Sequence, residues 1–292
     1  MKKNLATVAI LFFGITMFAQ TTTKSFVANS FNGISAGGIY EIELTKAAAE
    51  SVVVETDKEI MPYVDVKVVR GILTFNLDNS RIPAKLKHNM GPIKARVTMK
   101  DELSSLTLSG ASNFYTTSVF SPKGFTAQIS GASNAKGLNI VSEIAVIKVS
   151  GASTINIRGK AADGSYEFSG ATVAIINQDI AKLNIEGSGA TKLEFTGKAV
   201  SVDIECSGAT YSKFIGECET MNAEISGASK FDAFGFKVDN MIIEVMGVSS
   251  AKIFVEKNIE AEASGGSSIV YKGSPVVKNI DISSVSSFRK AD

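Results

Sequence analysis

A motif of four small residues recurs along most of the chain and sets a repeat length. Gly170, Gly189, Gly208 and Gly227 are each the second residue of a Ser-Gly-Ala-Ser or Ser-Gly-Ala-Thr motif, and they follow one another every 19 residues. Intervals elsewhere range from 18 to 21 residues, so part of each unit must be a loop that absorbs insertions. Repeats of this length are typical of solenoids, in which each unit packs on its neighbours.

The residues around each glycine alternate with a period of two. Around Gly151, the apolar residues Ile147 and Val149 precede it and Ile155 and Ile157 follow it, all at even offsets. The residue two positions after the glycine is always serine or threonine. This pattern predicts strands with one buried face, lined by apolar side chains and by one column of hydroxyls.

The repeat also constrains how the strands pair. No helical pattern of useful length separates the units, so strands of successive units are expected to pair directly. At ~3.3 Å per residue, one unit makes a loop of roughly 60 Å, enough for one circuit around a solid core. The sequence therefore predicts an all-β fold, a single-stranded parallel β-helix with coils of about 19 residues. Propellers need about 40 residues per unit and sandwiches need antiparallel hairpins, so both are less favoured.

The chain begins with a segment typical of secretion signals. Lys2 and Lys3 precede an apolar run that ends at Phe18, and Ala19 is a small residue suited to cleavage. We predict a signal peptide at 1–19; the run is shorter than the ~20 residues of a membrane span, which is the alternative. We predict that 20–292 form a single β-helix domain, with irregular N-terminal capping coils over about 25–105 and regular repeats over about 106–292.

Composition argues against two function classes. The chain has 30 Lys and Arg against 29 Asp and Glu, so it lacks the basic surplus of a nucleic-acid-binding protein. Its single histidine, His88, removes most histidine-based metal sites and histidine-dependent catalytic schemes. We therefore predict that the protein is not an enzyme.

Two cysteines, Cys206 and Cys218, lie 12 residues apart. An exported protein can oxidise such a pair, but the spacing does not show that their Cα atoms approach within the ~7 Å of a disulfide. A disulfide and a pair of buried small apolar side chains both stay open, and the second is favoured.

One outward column of the later coils is acidic. Stacked carboxylates repel one another, so positive charge is expected nearby to offset the repulsion. In one hypothesis Ca²⁺ ions lie along the column, bound with the help of Asn184, Asp203 and Asn222. The favoured alternative is a solvated strand face, because two carboxylates per gap supply few of the six to eight oxygens that Ca²⁺ prefers. The column comprises Glu167, Glu186, Glu205, Glu224, Glu244, Glu262 and Asp281, with Glu186, Glu205, Glu224 and Glu244 as the ion-binding candidates.

The segments before the repeats carry a family resemblance. Phe31–Ser35, Ile39–Leu44, Val52–Asp57 and Gly71–Phe75, followed by the Ser-Gly-Ala units, resemble the head GIN domain family of putative autotransporter adhesins of Bacteroidetes-type bacteria. The resemblance extends over about 25–276. It implies a right-handed β-helix and an exported, surface-linked protein, and it offers no catalytic residues.

These observations predict a non-enzymatic exported protein of the cell surface or envelope, an adhesin or scaffold that presents β-helix ladders to a protein or glycan. The alternatives are a carbohydrate-active β-helix enzyme, either a polysaccharide lyase or a hydrolase, and a periplasmic structural or sensing module. No cofactor is expected apart from the Ca²⁺ of the hypothesis above, and end-to-end or side-by-side self-association is expected to be open to such a rod. No membrane span is expected after signal cleavage.

Overall fold

The computed structural model describes residues 21–88 and 90–291, which form 21 strands, one short α-helix and a 3-10 turn at Met61–Tyr63. The predicted signal peptide at 1–19 lies outside the described residues. The first elements are β1 (Thr21–Phe26), β2 (Gly33–Gly38), β3 (Tyr40–Lys46), β4 (Ser51–Asp57), β5 (Val64–Val69), β6 (Ile72–Leu77), α1 (Ala84–Lys87), β7 (Ile93–Met99), β8 (Ser105–Gly110), β9 (Asn113–Thr116) and β10 (Val119–Phe120). The remaining strands are β11 (Gly124–Ile129), β12 (Asn134–Val149), β13 (Thr154–Phe168), β14 (Val173–Gly187), β15 (Lys192–Cys206), β16 (Tyr211–Ile225), β17 (Lys230–Val245), β18 (Ser250–Ala263), β19 (Ser268–Gly273), β20 (Val276–Ile282) and β21 (Ser287–Lys290).

From β8 onward, each coil pairs in parallel with the equivalent residues of the next coil. Ile176 of β14 pairs with Phe195 of β15, and Phe195 pairs with Phe214 of β16, each step being one repeat. The protein is therefore a parallel β-solenoid of about ten turns, as the repeat predicts.

The core is a continuous stack, built mainly of the even-offset side chains; Phe236 enters it at an odd offset, after a shift of register in its coil. Phe195 and Phe214 are fully buried with ring centroids 5.3 Å apart, and Phe236 packs edge-on against Phe214 at 5.6 Å. The period-two prediction is confirmed by burial along the regular coils, because a one-residue slip would turn this whole face to solvent.

The inward hydroxyl column satisfies its own hydrogen-bonding groups at the corner of each coil. Thr191 Oγ1 donates to the carbonyl of Ser188 at 2.7 Å and lies 3.1 Å from Thr172 Oγ1. Ser249 Oγ accepts from the backbone N–H of Ser229 at 3.1 Å. The hydroxyls thus bind the corner backbone and connect successive coils, so buried polar groups do not destabilise the core.

The N-terminal end departs from simple sequential stacking. Strand β3 lies between β7 and β9 and pairs in parallel with both, so a coil early in the chain is inserted between two later ones. Beyond β7, strands β4 and β1 add in antiparallel orientation, and β5 is antiparallel to β6. The irregular capping segment therefore contains antiparallel strands, which the sequence analysis did not foresee.

Candidate functional site

The acidic column predicted from the sequence is a true ladder. Glu186 pairs in register with Glu205, Glu205 with Glu224, and Glu224 with Glu244. The ladder continues through Glu262, so all four ion-binding candidates lie on adjacent coils of one face. Their repulsion is therefore a property of the fold.

The electrostatic balance differs along this ladder. At its first coil, Lys148 Nζ donates to Glu167 Oε2 at 2.6 Å, and this hydrogen bond raises the pKa of the Lys148 ammonium. Further along, burial, and then the charges of Glu262 and Glu224, raise the pKa of Glu244 above its ordinary value. The carboxylates around Glu244 therefore repel one another, whereas at the other end of the ladder Lys148 offsets the charge of Glu167.

Two of the three residues named as helpers for a cation, Asp203 and Asn222, bind each other. Asn222 Nδ2 donates to Asp203 Oδ1 at 2.8 Å, so this pair is engaged within its own column. Among residues 21–88 and 90–291, no group of three or more His, Cys, Asp or Glu side chains converges on a point that could hold a metal ion. The Ca²⁺ hypothesis for the ladder stays a prediction.

Outward cations lie on the segments that follow the glycine corners from Gly189 onward, with the acids Glu194 and Asp232 in register on either side of Lys213. Lys230 Nζ lies 5.7 Å from the centroid of the Tyr211 ring, and Lys272 Nζ lies 4.5 Å from that of Phe254. These cations were not predicted as a group from the sequence, although they occupy outward, odd offsets from the glycines. We call these cations the basic strip and define it by Lys192, Lys213, Lys230, Lys252, Lys272 and Arg289.

Both cysteines are free and buried, which confirms the favoured interpretation over the disulfide. Burial raises the pKa of the Cys206 thiol to about 11 and that of Cys218 to about 12. Cys206 Sγ lies 3.3 Å from Ser212 Oγ inside the coil. Neither thiol has the exposed, low-pKa environment of a nucleophile.

The small residues at the corner have a structural cause. Gly208 has a φ of 74°, and a Cβ at this position would lie 2.8 Å from the carbonyl oxygen of Gly189 in the preceding coil. The backbones of successive coils are in direct contact here, so a glycine is needed for the coils to stack. The serines and alanines beside it border the acidic ladder on one side and the basic strip on the other.

A groove of about 480 Å³ lies over β7, β3, β9 and β12 at the N-terminal end. Two rows of outward side chains cross it, one residue from each strand in each row. In one row Glu43 pairs in register with Arg96 and with Tyr115, a residue that is 49% exposed, and Tyr115 pairs with Lys136. The groove thus combines an accessible aromatic ring with charged groups of both signs.

The second row of the groove is rich in amides and also carries a carboxylate. Asn134 Nδ2 donates to Asn113 Oδ1 at 2.8 Å, and Asn113 pairs in register with Glu41. An amide pair of this kind keeps further donors and acceptors available to a ligand. From the sequence, Tyr115 could be recognised only as an outward aromatic residue, because the neighbours that build the groove come from distant parts of the chain.

Comparisons with known proteins agree with this architecture. A family described as "Putative auto-transporter adhesin, head GIN domain" matches residues 30–175 and 167–275. A crystal structure of a putative adhesin from Parabacteroides distasonis is 17% identical with a TM-score of 0.55, over 94% of this chain and 98% of that one. A putative adhesin from Parabacteroides merdae is 16% identical with a TM-score of 0.50, over 94% and 97%. A search of curated proteins finds no match.

No helix in the described part of the chain is long and apolar enough to cross a membrane.

Proposed function

Because the chain belongs to the head GIN domain family of putative auto-transporter adhesins, we propose that it is a non-enzymatic, exported adhesin of the cell envelope. It presents outward ladders on a stiff solenoid to a cell-surface glycan or protein. The observation that supports this function best is the groove beside Tyr115, where polar groups from four strands surround an exposed ring.

The chemistry of the groove suits adhesion. Aromatic rings offer a large contact area with little loss of conformational entropy, and carboxylate and amide groups fix the orientation of a polar ligand. The side chains project from paired strands, so the positions of their Cα atoms are fixed before a ligand arrives. Such preorganisation lowers the entropic cost of binding.

The same groove is the place to look for the rival function, cleavage of a polysaccharide. Glu41 and Glu43 alternate on β3, and each has a cationic neighbour in register, Lys94 and Arg96 respectively. Acid–base catalysis needs two carboxylates in unlike environments so that one is protonated while the other is ionised. Because Glu41 and Glu43 each have a cationic neighbour, their environments are alike, and this favours ligand binding over cleavage.

The test of adhesion uses the mature chain and its Tyr115→Ala variant, with binding to target cells measured by flow cytometry. We expect the variant to lose about tenfold in affinity, since aromatic contacts at binding sites often dominate the binding energy. Tyr211→Ala is the matched control, because Tyr211 is an outward tyrosine outside the groove. Equal binding by both variants and the parent chain would reject the groove as the adhesive site.

Two further measurements separate the remaining alternatives. Periodate treatment of the target cells removes glycan partners, whereas protease treatment removes protein partners. Full protection of the protein from external protease on intact producing cells would favour a periplasmic module over a surface adhesin. Release of reducing or unsaturated sugar ends that Glu41→Gln or Glu43→Gln abolishes would establish an enzyme.

A further inference from the structure

The groove over β7, β3, β9 and β12 has two ends that differ in charge balance. At the β7 end, Lys94 lies in register between Glu41 of β3 and Glu55 of β4. Arg96 lies in register with Glu43 of β3, and its guanidinium group is 3.6 Å from the same Glu55 carboxylate. Carboxylates on both flanking strands therefore offset the positive charge at this end.

The β12 end carries a cation with different neighbours. Lys136 is exposed and pairs in register with Tyr115 of β9. Strand β9 contains no acidic residue, and neither does 154–157, the part of β13 that pairs with this segment. Within the described part of the chain, Lys136 is thus the one cation lining the groove that has no carboxylate on either neighbouring strand.

A β-bulge shapes the β12 end. Pairing between β12 and β13 shifts register between Ala135 and Leu138, which places Lys136 and Gly137 in the bulge. A Cβ at Gly137 would lie 3.5 Å from Cε2 of Tyr115, so the tyrosine ring lies against the bulge, beside Lys136. Bulges are common next to binding sites because they redirect side chains.

Amide groups border the same end of the groove. Asn113 and Asn134 precede Tyr115 and Lys136 by two positions on their strands, so all four side chains project from one face. Asn134 Nδ2 donates to Asn113 Oδ1 at 2.8 Å, which leaves the remaining amide groups able to bind hydroxyl groups of a ligand. A cation, an aromatic ring and two amides therefore lie together at the β12 end.

The apolar surface of the groove favours a sugar over a protein segment. Ile42, Ala95 and Phe114 face the core and are at most 2% exposed, so the ring of Tyr115 is the apolar group that a ligand meets. Protein interfaces concentrate their binding energy in anchors that fill well-packed pockets, which one flat ring does not provide. A sugar ring presents C–H groups on its faces and hydroxyl groups around its edge, which suits an aromatic ring bordered by amides.

We propose that the β12 end of the groove binds an anionic sugar residue. The sugar ring lies against Tyr115, its hydroxyl groups bind the amides of Asn113 and Asn134, and its carboxylate or sulfate group binds the Lys136 ammonium. This inference rests on the proposed adhesive function of the groove, to which it adds the charge of the ligand.

The test measures binding of soluble oligosaccharides to the purified mature chain by isothermal titration calorimetry in about 0.15 M NaCl. The probes are trigalacturonate, its neutral carboxyl-reduced counterpart, and the reduced compound carrying a sulfate ester. We expect an anionic probe to bind at least about tenfold more tightly than the neutral one, as one hydrogen bond to a charged group provides. The anionic probe that binds more tightly identifies the acid group.

Three variants separate the parts of the site. Lys136→Gln should weaken binding of the anionic probe about tenfold and abolish its advantage over the neutral probe, whereas Tyr115→Ala should weaken binding of both alike. Lys94→Gln is the matched control, because it removes the same charge three strands away, about 14 Å, where salt screens its effect on the anion. All three residues are exposed, and circular dichroism verifies that the variants are folded.

Equal affinity for the anionic and neutral probes, or equal losses from Lys136→Gln and Lys94→Gln, would overturn the proposal. Cell binding that needs Tyr115 in a chain that binds none of the probes would also overturn it and would favour a protein partner, while the adhesive function would stand. Anionic-probe binding that Lys136→Gln abolishes, in a chain whose cell binding Tyr115→Ala leaves unchanged, would support the sugar site and reject its adhesive role.

Discussion

Backbone packing between coils predicts a large penalty for one methyl group at Gly216. Its φ is 134°, and a Cβ there would lie 1.8 Å from the carbonyl oxygen of Gly197 in the preceding coil. A non-glycine residue in this region of φ costs about 1–3 kcal/mol. Relief of the overlap requires shifts in packed backbone, which typically cost a further ~1–3 kcal/mol. Gly216→Ala should therefore destabilise the protein by about 2–6 kcal/mol.

Substitutions at two other glycines separate the cost of the backbone conformation from the cost of the overlap between coils. Gly38 has a φ of 115° with no atom within 4 Å of an added Cβ, so Gly38→Ala should lose only the conformational part, about 1–3 kcal/mol. At Gly124, φ lies outside the left-handed region and the space is open, so Gly124→Ala should be neutral or stabilising by up to about 1 kcal/mol. The expected order of stability is Gly124→Ala, then Gly38→Ala, then Gly216→Ala.

The assay is urea unfolding followed by far-UV circular dichroism, with thermal unfolding as a second measure. For a chain of this size about 1 kcal/mol corresponds to ~2 °C, so Gly216→Ala should melt about 4–12 °C below the parent. If Gly216→Ala melted at the temperature of Gly124→Ala, the coils could not be in backbone contact at this turn. If it matched Gly38→Ala, the overlap between coils would contribute nothing.

Two further predictions concern the acidic ladder and the thiols. The raised pKa of Glu244 means that the folded protein binds this proton more tightly than the unfolded chain, so ionisation destabilises the fold as pH rises. Glu244→Gln should therefore raise the melting temperature at pH ~7 and lose this effect below pH ~4, where the carboxyl group is protonated in both states. Glu167→Gln removes the contact to Lys148 and should not raise the melting temperature. Equal effects of the two substitutions would contradict the difference in charge balance between the two ends of the ladder. Burial and raised pKa values predict that Cys206 and Cys218 resist a thiol reagent at pH ~8 until the chain is unfolded in urea, when two thiols should react without any reductant. Rapid reaction of the folded protein, or fewer than two thiols after unfolding, would count against two buried free cysteines.

Sequence reasoning was most successful where the signal is local and repeated. The even-offset apolar residues and the hydroxyl column are buried as predicted, because strand geometry alone assigns alternate residues to opposite faces. The register of Glu205 with Glu224 followed from the repeat length, since one circuit returns the chain to the same point of the solenoid.

Sequence reasoning failed at the N-terminal end, where the repeat is absent. The insertion of β3 between β7 and β9 joins segments far apart in the chain, and no local pattern encodes which strand edges pair. The groove depends on this insertion: Glu43 and Tyr115 belong to different segments and become neighbours only through it. Residue types such as Tyr115 could be singled out beforehand, but their surroundings could not.

The sequence by itself predicted the solenoid, its inward faces and its acidic ladder, because alternation repeated about every 19 residues places equivalent side chains of successive coils on the same face around a common core. Only the tertiary structure decided the order of the first coils, the groove built on them and the pairing state of the cysteines. Those features depend on non-local contacts, whose geometry follows from how the whole chain packs and not from any segment alone.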